Sequence, residues 1–309
     1  MTMLQAHPHW GAEALWKQLE PLLPGLSVEV LARADSTNTV LLERARMLAG
    51  APCAPITRPG ELDNAGPAPG EPTPLGRRDA DVQPCLLVAE QQTRGRGRLG
   101  RDWVSSAGAS LTFSLALPLA PADWSGLSLA VGLAMAEALD PQPGDAAAAP
   151  RLMLKWPNDL WLVDHPPQPG LGRKLGGILI ETVTVGQRRM CVVGVGLNVL
   201  PQPVPELPQG YACLQEIQPE ITAPSALAQV AAPLVRALLQ FQVEGFAPLV
   251  GAYAHRDLLK GQPVSTTLAA VPAGVAEGVD ARGALRVRCG DVHCIVSGEV
   301  SVRLSGGSA

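Results

Sequence analysis

The segment Gly95-Arg96-Gly97-Arg98-Leu99-Gly100-Arg101 constrains this chain more than any other. It follows an apolar run at 86–90, and its glycines spell G-x-G-x-x-G, the pattern with which a strand-turn-helix unit holds a dinucleotide. That unit needs a helix directly after the glycines. Residues 103–117 are instead rich in Ser and β-formers, and no ribose-binding acid stands about 20 residues on, so the segment predicts a turn between two strands. Glycines let a backbone approach a ligand, and Arg94, Arg96, Arg98 and Arg101 set four forked cations within eight residues of a chain whose net charge is −4. The pattern predicts a clamp for phosphate or carboxylate that gains order when the anion arrives. The acidic balance gives no general footprint for a nucleic-acid backbone.

Periodicity supplies the frame around this turn. It predicts a helix at 13–19, a strand at 28–32 and a helix capped by Asp35 and Ser36, with Leu41, Leu42, Ala45 and Leu48 on one face. Strands are predicted at 86–90, 110–117 (small and large residues interleaved) and 151–154, a helix at 125–139, and a hairpin of 175–185 with 189–197 turning at Gly186-Gln187. A further helix covers 225–244. From 261 onward, short alternating segments at 264–268, 275–279, 285–289, 294–296 and 300–304 predict a small all-β barrel. Residues 50–84, of which 13 are Gly or Pro, read as a long excursion, and 1–26 hold one short helix, too little for a helix-turn-helix. The expected division is an N-terminal arm at 1–26, a main domain at 27–260 and a small terminal domain at 261–309.

Other classes recede. The longest uncharged stretch, 103–122, carries four serines and two prolines, and the N-terminus lacks a basic region followed by an apolar block, so a cytoplasmic chain without a membrane span is expected. Six scattered cysteines without C-x-x-C pairs argue against a disulfide framework, and Cys289, His293 and Cys294 lie in a strand-like segment without a second ligand pair at zinc spacing.

Three further motifs sit at predicted strand ends. Lys155-Trp156-Pro157-Asn158-Asp159 follows an apolar strand, and its proline fixes a turn projecting a cation and an Asn/Asp pair. Arg173-Lys174 precedes Leu175-Gly176-Gly177-Ile178-Leu179, and Gly194-Val195-Gly196-Leu197-Asn198 closes the next strand. Jointly they offer cations for a triphosphate and a carboxylate, oxygens for a metal ion, and backbone access, the requirements for nucleotide-dependent activation of a carboxylate. No Walker A sequence is present.

Ser36-Thr37-Asn38, the run from Glu90 to Trp103, Lys155 to Leu160, Arg173 to Glu181 and Gly194 to Asn198 together resemble, in order and spacing, the motifs of biotin protein ligases. Ser297-Gly298-Glu299-Val300-Ser301-Val302-Arg303 resembles the signature of that family's C-terminal SH3-like domain. The resemblance implies an α+β fold: a class II synthetase-like catalytic domain with a mixed β-sheet flanked by helices, plus a small SH3-like β-barrel. It implies ATP as co-substrate with Mg²⁺, biotin as substrate, a biotinyl-5′-adenylate intermediate, and transfer to a lysine of the biotin carboxyl carrier protein of acetyl-CoA carboxylase or a related carboxylase. Carried onto this chain, Lys174, Arg98 and Asp159 are the catalytic candidates. The biotin candidates are Ser36, Thr37, Asn38, Gln92, Gly95, Arg96, Gly97, Arg98 and Lys174, with Gly177, Ile178 and Leu179 along the apolar tail. Arg98, Arg101, Trp103, Lys155, Asn158 and Asn198 are assigned to the nucleotide, Asn198 also to the metal. Members of the family can dimerise through the sheet, and some carry an N-terminal winged helix-turn-helix and act as repressors, for which this sequence shows no residues. Leu99 stands where some members place another arginine, and the excursions at 50–84 and 164–172 exceed the compact pattern. A lipoate or octanoyl transferase, a biotin-sensing repressor and an inactive scaffold are the alternatives.

Overall fold

The structure is a computed structural model, and it describes residues 9–49, 83–142, 149–164, 172–203, 210–296 and 302–304. The excursion at 50–82 and most of the 297–303 signature lie outside these residues.

Seven strands build the main sheet: β1 (Ser27–Ala34), β2 (Cys85–Gln92), β5 (Ser110–Pro118), β6 (Leu152–Lys155), β7 (Asp159–Leu162), β8 (Arg173–Val185) and β9 (Arg188–Asn198), in the order β1-β2-β5-β9-β8-β7-β6. Between β2 and β5 the two-residue strands β3 (Gly95–Arg96) and β4 (Asp102–Trp103) pair antiparallel, so the arginine-glycine segment is a small hairpin and opens no helix. Only the β1–β2 pair is parallel, which makes the sheet mixed, as expected. The β8–β9 hairpin turns at Gly186, whose φ of 59° suits glycine.

Helices cover both faces. α1 (Ala12–Leu19), α3 (Leu127–Leu139), α4 (Ala223–Glu244) and α5 (Val250–Arg256) share the large core with Leu86, Val88, Leu111, Phe113, Leu115, Val193, Val195 and Leu197. α2 (Thr37–Ala49) covers the opposite face, setting Leu41, Leu42 and Ala45 on Leu87, Ala116, Met190 and Val192. Residues on neighbouring strands alternate between these cores because a strand's side chains point to opposite faces. The helix α4 has the length and apolar composition of a membrane span, yet it is capped by Thr222 and packs on α3 as a core helix. The expected arm is not loose: Trp10, Leu15, Leu19 and Leu23 are buried in the large core, and Trp10 Nε1 donates to Glu90 Oε1 at 3.1 Å.

The terminal segment forms β10 (Pro263–Thr266), β11 (Ala273–Val279), β12 (Leu285–Cys289), β13 (Asp291–Ile295) and β14 (Val302–Leu304), an antiparallel sheet in the order β13-β12-β11-β10-β14. Among the described residues this sheet is open: β13 and β14 are its edges and do not pair. Closure is not needed to hide its apolar face, because Val264, Ala276, Leu285, Val287, Ile295 and Val302 already join the large core. All five described cysteines are free thiols, and Cys289, His293 and Cys294 sit on adjacent strands with no metal-holding group among the described residues.

Candidate active site

The α2 face of the sheet is hollow where small residues meet across strands. Ser114 on β5 pairs in register with Gly194 on β9 and through it with Leu179 on β8, while Thr112 pairs with Gly196 and through it with Gly177. Paired residues share a face, so Gly177, Gly194 and Gly196 leave a depression that the bulky residues one position away do not. A cavity of about 290 Å³ occupies it, walled by the N-terminus of α2, the β3–β4 hairpin and the turn before β7.

Each of these glycines makes room for a particular neighbour. A Cβ on Gly194 would stand 2.1 Å from Asn38 Oδ1, and one on Gly196 would stand 2.4 Å from the Trp103 ring. A Cβ on Gly95 would strike the Trp103 carbonyl at 2.3 Å, so that glycine is required by the hairpin itself.

At one end of the cavity, buried neutral groups form a closed set. Thr37 N donates to Gln92 Oε1 at 2.7 Å, and Ser114 Oγ lies 2.6 Å from both Thr37 Oγ1 and Asn38 Oδ1. Asn38 Nδ2 donates to Leu179 O at 3.1 Å and to Glu181 Oε2 at 2.9 Å. The other carboxylate oxygen of Glu181 takes Arg96 Nη2 at 2.5 Å, while Arg96 Nη1 donates to Thr39 Oγ1 at 3.1 Å.

The charged end is built on β7 and β8. Their register shifts between Leu160 and Trp161, so that β8 carries one extra residue, and such a bulge re-aims the side chains beyond it. Lys174 is thereby brought onto the face of Asp159, Nζ to Oδ1 at 2.7 Å, with both side chains mostly buried. Gly177 lies beside the pair, and its missing side chain keeps the contact open to the cavity. Arg98 Nη1 donates to Asn158 Oδ1 at 3.3 Å, and Asn158 Nδ2 is anchored on Ile178 O at 2.8 Å. Burial pushes the Arg98 pKa down, the Arg101 charge adds to this, and Asp159 opposes it.

Of the residues singled out from the sequence, Ser36, Thr37, Asn38, Gln92, Arg96, Gly97, Arg98, Arg101 and Trp103 all line this cavity. Asn158, Asp159, Lys174, Gly177, Ile178, Leu179 and Asn198 complete the set. Two stand apart. Gly95 lies behind the hairpin, and Lys155 is 8% exposed, its ammonium 4.8 Å from the centre of the Trp161 ring. Burial lowers the Lys155 pKa, with Asp159 resisting and Lys174, Arg101 and Arg303 reinforcing the shift. Lys155 is thus a wall of the β6–β7 turn behind Asp159, its register partner, rather than a lining residue.

Asn198 spends its amide nitrogen on the Ala212 and Lys174 carbonyls at 3.0 and 3.4 Å, and no three His, Cys, Asp or Glu side chains gather among the described residues. That leaves Asn198 Oδ1 as the oxygen that would meet a magnesium ion arriving on the phosphates of its nucleotide.

Sequence reasoning missed Gln202, Gly210 and Tyr211, which line the cavity, and the supporting pair Ser114 and Glu181. For Ser114 a signal existed: Ser110, Thr112, Ser114 and Ala116 alternate with Leu111, Phe113, Leu115 and Leu117, marking one polar but buried face.

Residues 81–198 match the model of the biotin/lipoate A/B protein ligase family. The chain is 34% identical to the bifunctional ligase/repressor BirA of Escherichia coli over 93% of its own length and 77% of that protein's. It is 34% identical to the biotin–[acetyl-CoA-carboxylase] ligase of Paracoccus denitrificans over 84% of its length and 93% of the relative's. Among solved structures it resembles the biotin protein ligase of Aquifex aeolicus in complex with biotin and ATP, with a TM-score of 0.63, 25% identity and coverage of 90% and 99% of the two chains. The chain belongs to the biotin/lipoate A/B protein ligase family, among its biotin protein ligases.

Proposed function

We propose that this chain is an ATP-dependent biotin protein ligase that uses the cavity on the α2 face for both of its steps. The observation that carries this reading is one cavity with a neutral hydrogen-bonding end, an apolar middle at Leu179, and a charged end where Lys174 meets Asp159 beside Arg98 and Arg101. A carboxylic acid with a polar bicyclic head and an aliphatic tail has the matching order of chemistry.

In the first step a biotin carboxylate oxygen attacks the α-phosphorus of ATP, and pyrophosphate leaves. Two anions must meet, so the barrier is largely electrostatic repulsion, which the Lys174 ammonium and the Arg98 guanidinium offset from opposite sides. Arg101 extends the positive wall, and Trp103, seated on Gly196, offers a ring face to the adenine side. In the second step the acceptor lysine amine attacks the acyl carbon, AMP leaves, and an amide forms. Lysine is protonated at neutral pH, so its amine needs a base. Asp159 serves: once Lys174 turns to the anions, the carboxylate it held at 2.7 Å is released to orient and deprotonate the incoming amine.

The acceptor is the biotin carboxyl carrier protein of a carboxylase, and no nucleic acid enters the scheme. Magnesium accompanies ATP. The division into arm, catalytic domain at 27–260 and SH3-like domain at 261–309, and a cytoplasmic setting, belong to the same proposal. A homodimer joined through the main sheet would use one of its edges, β1 or β6. The test is biotin-dependent pyrophosphate release without any carrier. Release with biotin and none with lipoate supports the reading, and release with lipoate alone turns it to lipoyl transfer.

A further inference from the structure

We infer that Ser114, which does not line the cavity, is a specificity-determining positioning residue: it locks the Thr37 hydroxyl as a pure hydrogen-bond acceptor toward the ligand. The inference rests on the ligase reading above and concerns how the neutral end of the cavity tells one head group from another.

Asn38 Nδ2 faces two oxygens, Leu179 O and Glu181 Oε2, so its amide cannot flip, and Oδ1 must be the atom facing Ser114. A carbonyl oxygen only accepts, so the single Ser114 proton lies on the 2.6 Å contact to Asn38. The equally short contact between Ser114 Oγ and Thr37 Oγ1 then needs a proton from Thr37, or two sets of lone pairs would face each other at 2.6 Å. Thr37 has one hydroxyl proton, and this use consumes it. Its longer contact to Gln92 Oε1, 3.2 Å, is left without a proton, and that oxygen is served instead by Thr37 N at 2.7 Å. Three of the four side chains in the relay are buried, Ser114 at 0%, Asn38 at 2% and Thr37 at 3% exposed, while the Glu181 side chain is 25% exposed and held by Arg96. Water therefore offers the Ser114 hydroxyl no substitute partner.

The consequence is a fixed polarity. Thr37 Oγ1 can accept but not donate, while Gln92, whose oxygen is turned to Thr37 N, offers a ligand its amide nitrogen as donor. A head group with an N–H beside a carbonyl satisfies both, whereas one with an oxygen in place of the N–H meets lone pairs with lone pairs. Glu181 is the origin of the order, since it fixes the Asn38 amide from which the rest follows.

The experiment is calorimetric titration of the full chain, without ATP, with biotin and with the two cyclic carbamates in which one or the other ureido N–H is a ring oxygen. Ser114→Ala frees the Thr37 proton, so it should weaken biotin about tenfold, the order of one oriented hydrogen bond, and narrow the preference for biotin over the less favoured carbamate. In a Thr37→Val background the same substitution should change nothing, because the relay ends at Thr37. Equal losses in both backgrounds, equal losses for biotin and carbamates, or unchanged binding and preference would each overturn the inference. Ser114→Cys, which keeps the size and weakens the donor, carries the same comparison if the alanine variant fails to fold. A wild-type chain that binds no biotin overturns the ligase reading first, and the relay with it.

Discussion

At Gly196 the absent side chain is occupied by the Trp103 indole, and at Gly194 by the Asn38 amide. Gly196→Ala must therefore push Trp103 off its seat; about 1–3 kcal/mol of strain is expected, with biotin-dependent pyrophosphate release slowed at least about tenfold. Release at the wild-type rate would show that Trp103 has no part in the reaction. A second residue effect lies far from the cavity. Asp257 is 6% exposed, its Oδ2 has no partner, and burial raises its pKa from 3.8 to about 6. A raised carboxyl pKa means that the folded chain keeps a proton the unfolded chain has lost. This contribution to stability is complete below pH 3.8 and disappears as pH rises through about 6. Asp257→Asn should flatten that slope and raise the melting temperature at pH 8 by on the order of 3 °C. Melting curves between pH 4 and pH 8 decide it, and parallel profiles for the two proteins would count against the buried acid.

Among the elements, those with long, clean periodicity were legible before any coordinates. The β8–β9 hairpin and α4 follow their patterns closely, because many side chains vote on each. The four-residue strand β7 was not legible: Asp159-Leu160-Trp161-Leu162 is too short to show a period and becomes a strand only by pairing with β6 and β8. The same holds for α5, seven residues whose Tyr253 is buried by the large core. The candidate site was legible where a residue type announces its chemistry, as at Lys174 and the arginines. It was hidden where a residue acts through another, as at Glu181, or where a loop folds back, as at Tyr211. Trp156 shows what such short elements do for the whole, since its Nε1 donates across to Gly283 O in the terminal sheet at 3.0 Å. Trp156→Phe leaves that buried carbonyl unsatisfied and should cost about 1–3 kcal/mol in urea denaturation. A loss below about 0.5 kcal/mol would show that the carbonyl finds water.

On the scale of the molecule, the two sheets share one core, and the terminal sheet is tied to the turn that carries Asn158 and Asp159. The cavity draws its walls from α2, the β3–β4 hairpin, β8, β9 and the loop at Tyr211, so it exists only when distant parts of the chain are assembled. In the proposed reaction the Lys174 ammonium carries the repulsion of two anions. The most direct test is intact-mass measurement of a biotin carboxyl carrier domain incubated with ATP, biotin and either the wild-type chain or Lys174→Ala. A single biotinyl addition is expected with the wild type, and a rate lower by at least about a hundredfold, the equivalent of about 2.7 kcal/mol, with the variant. Equal labelling by the two proteins would contradict it.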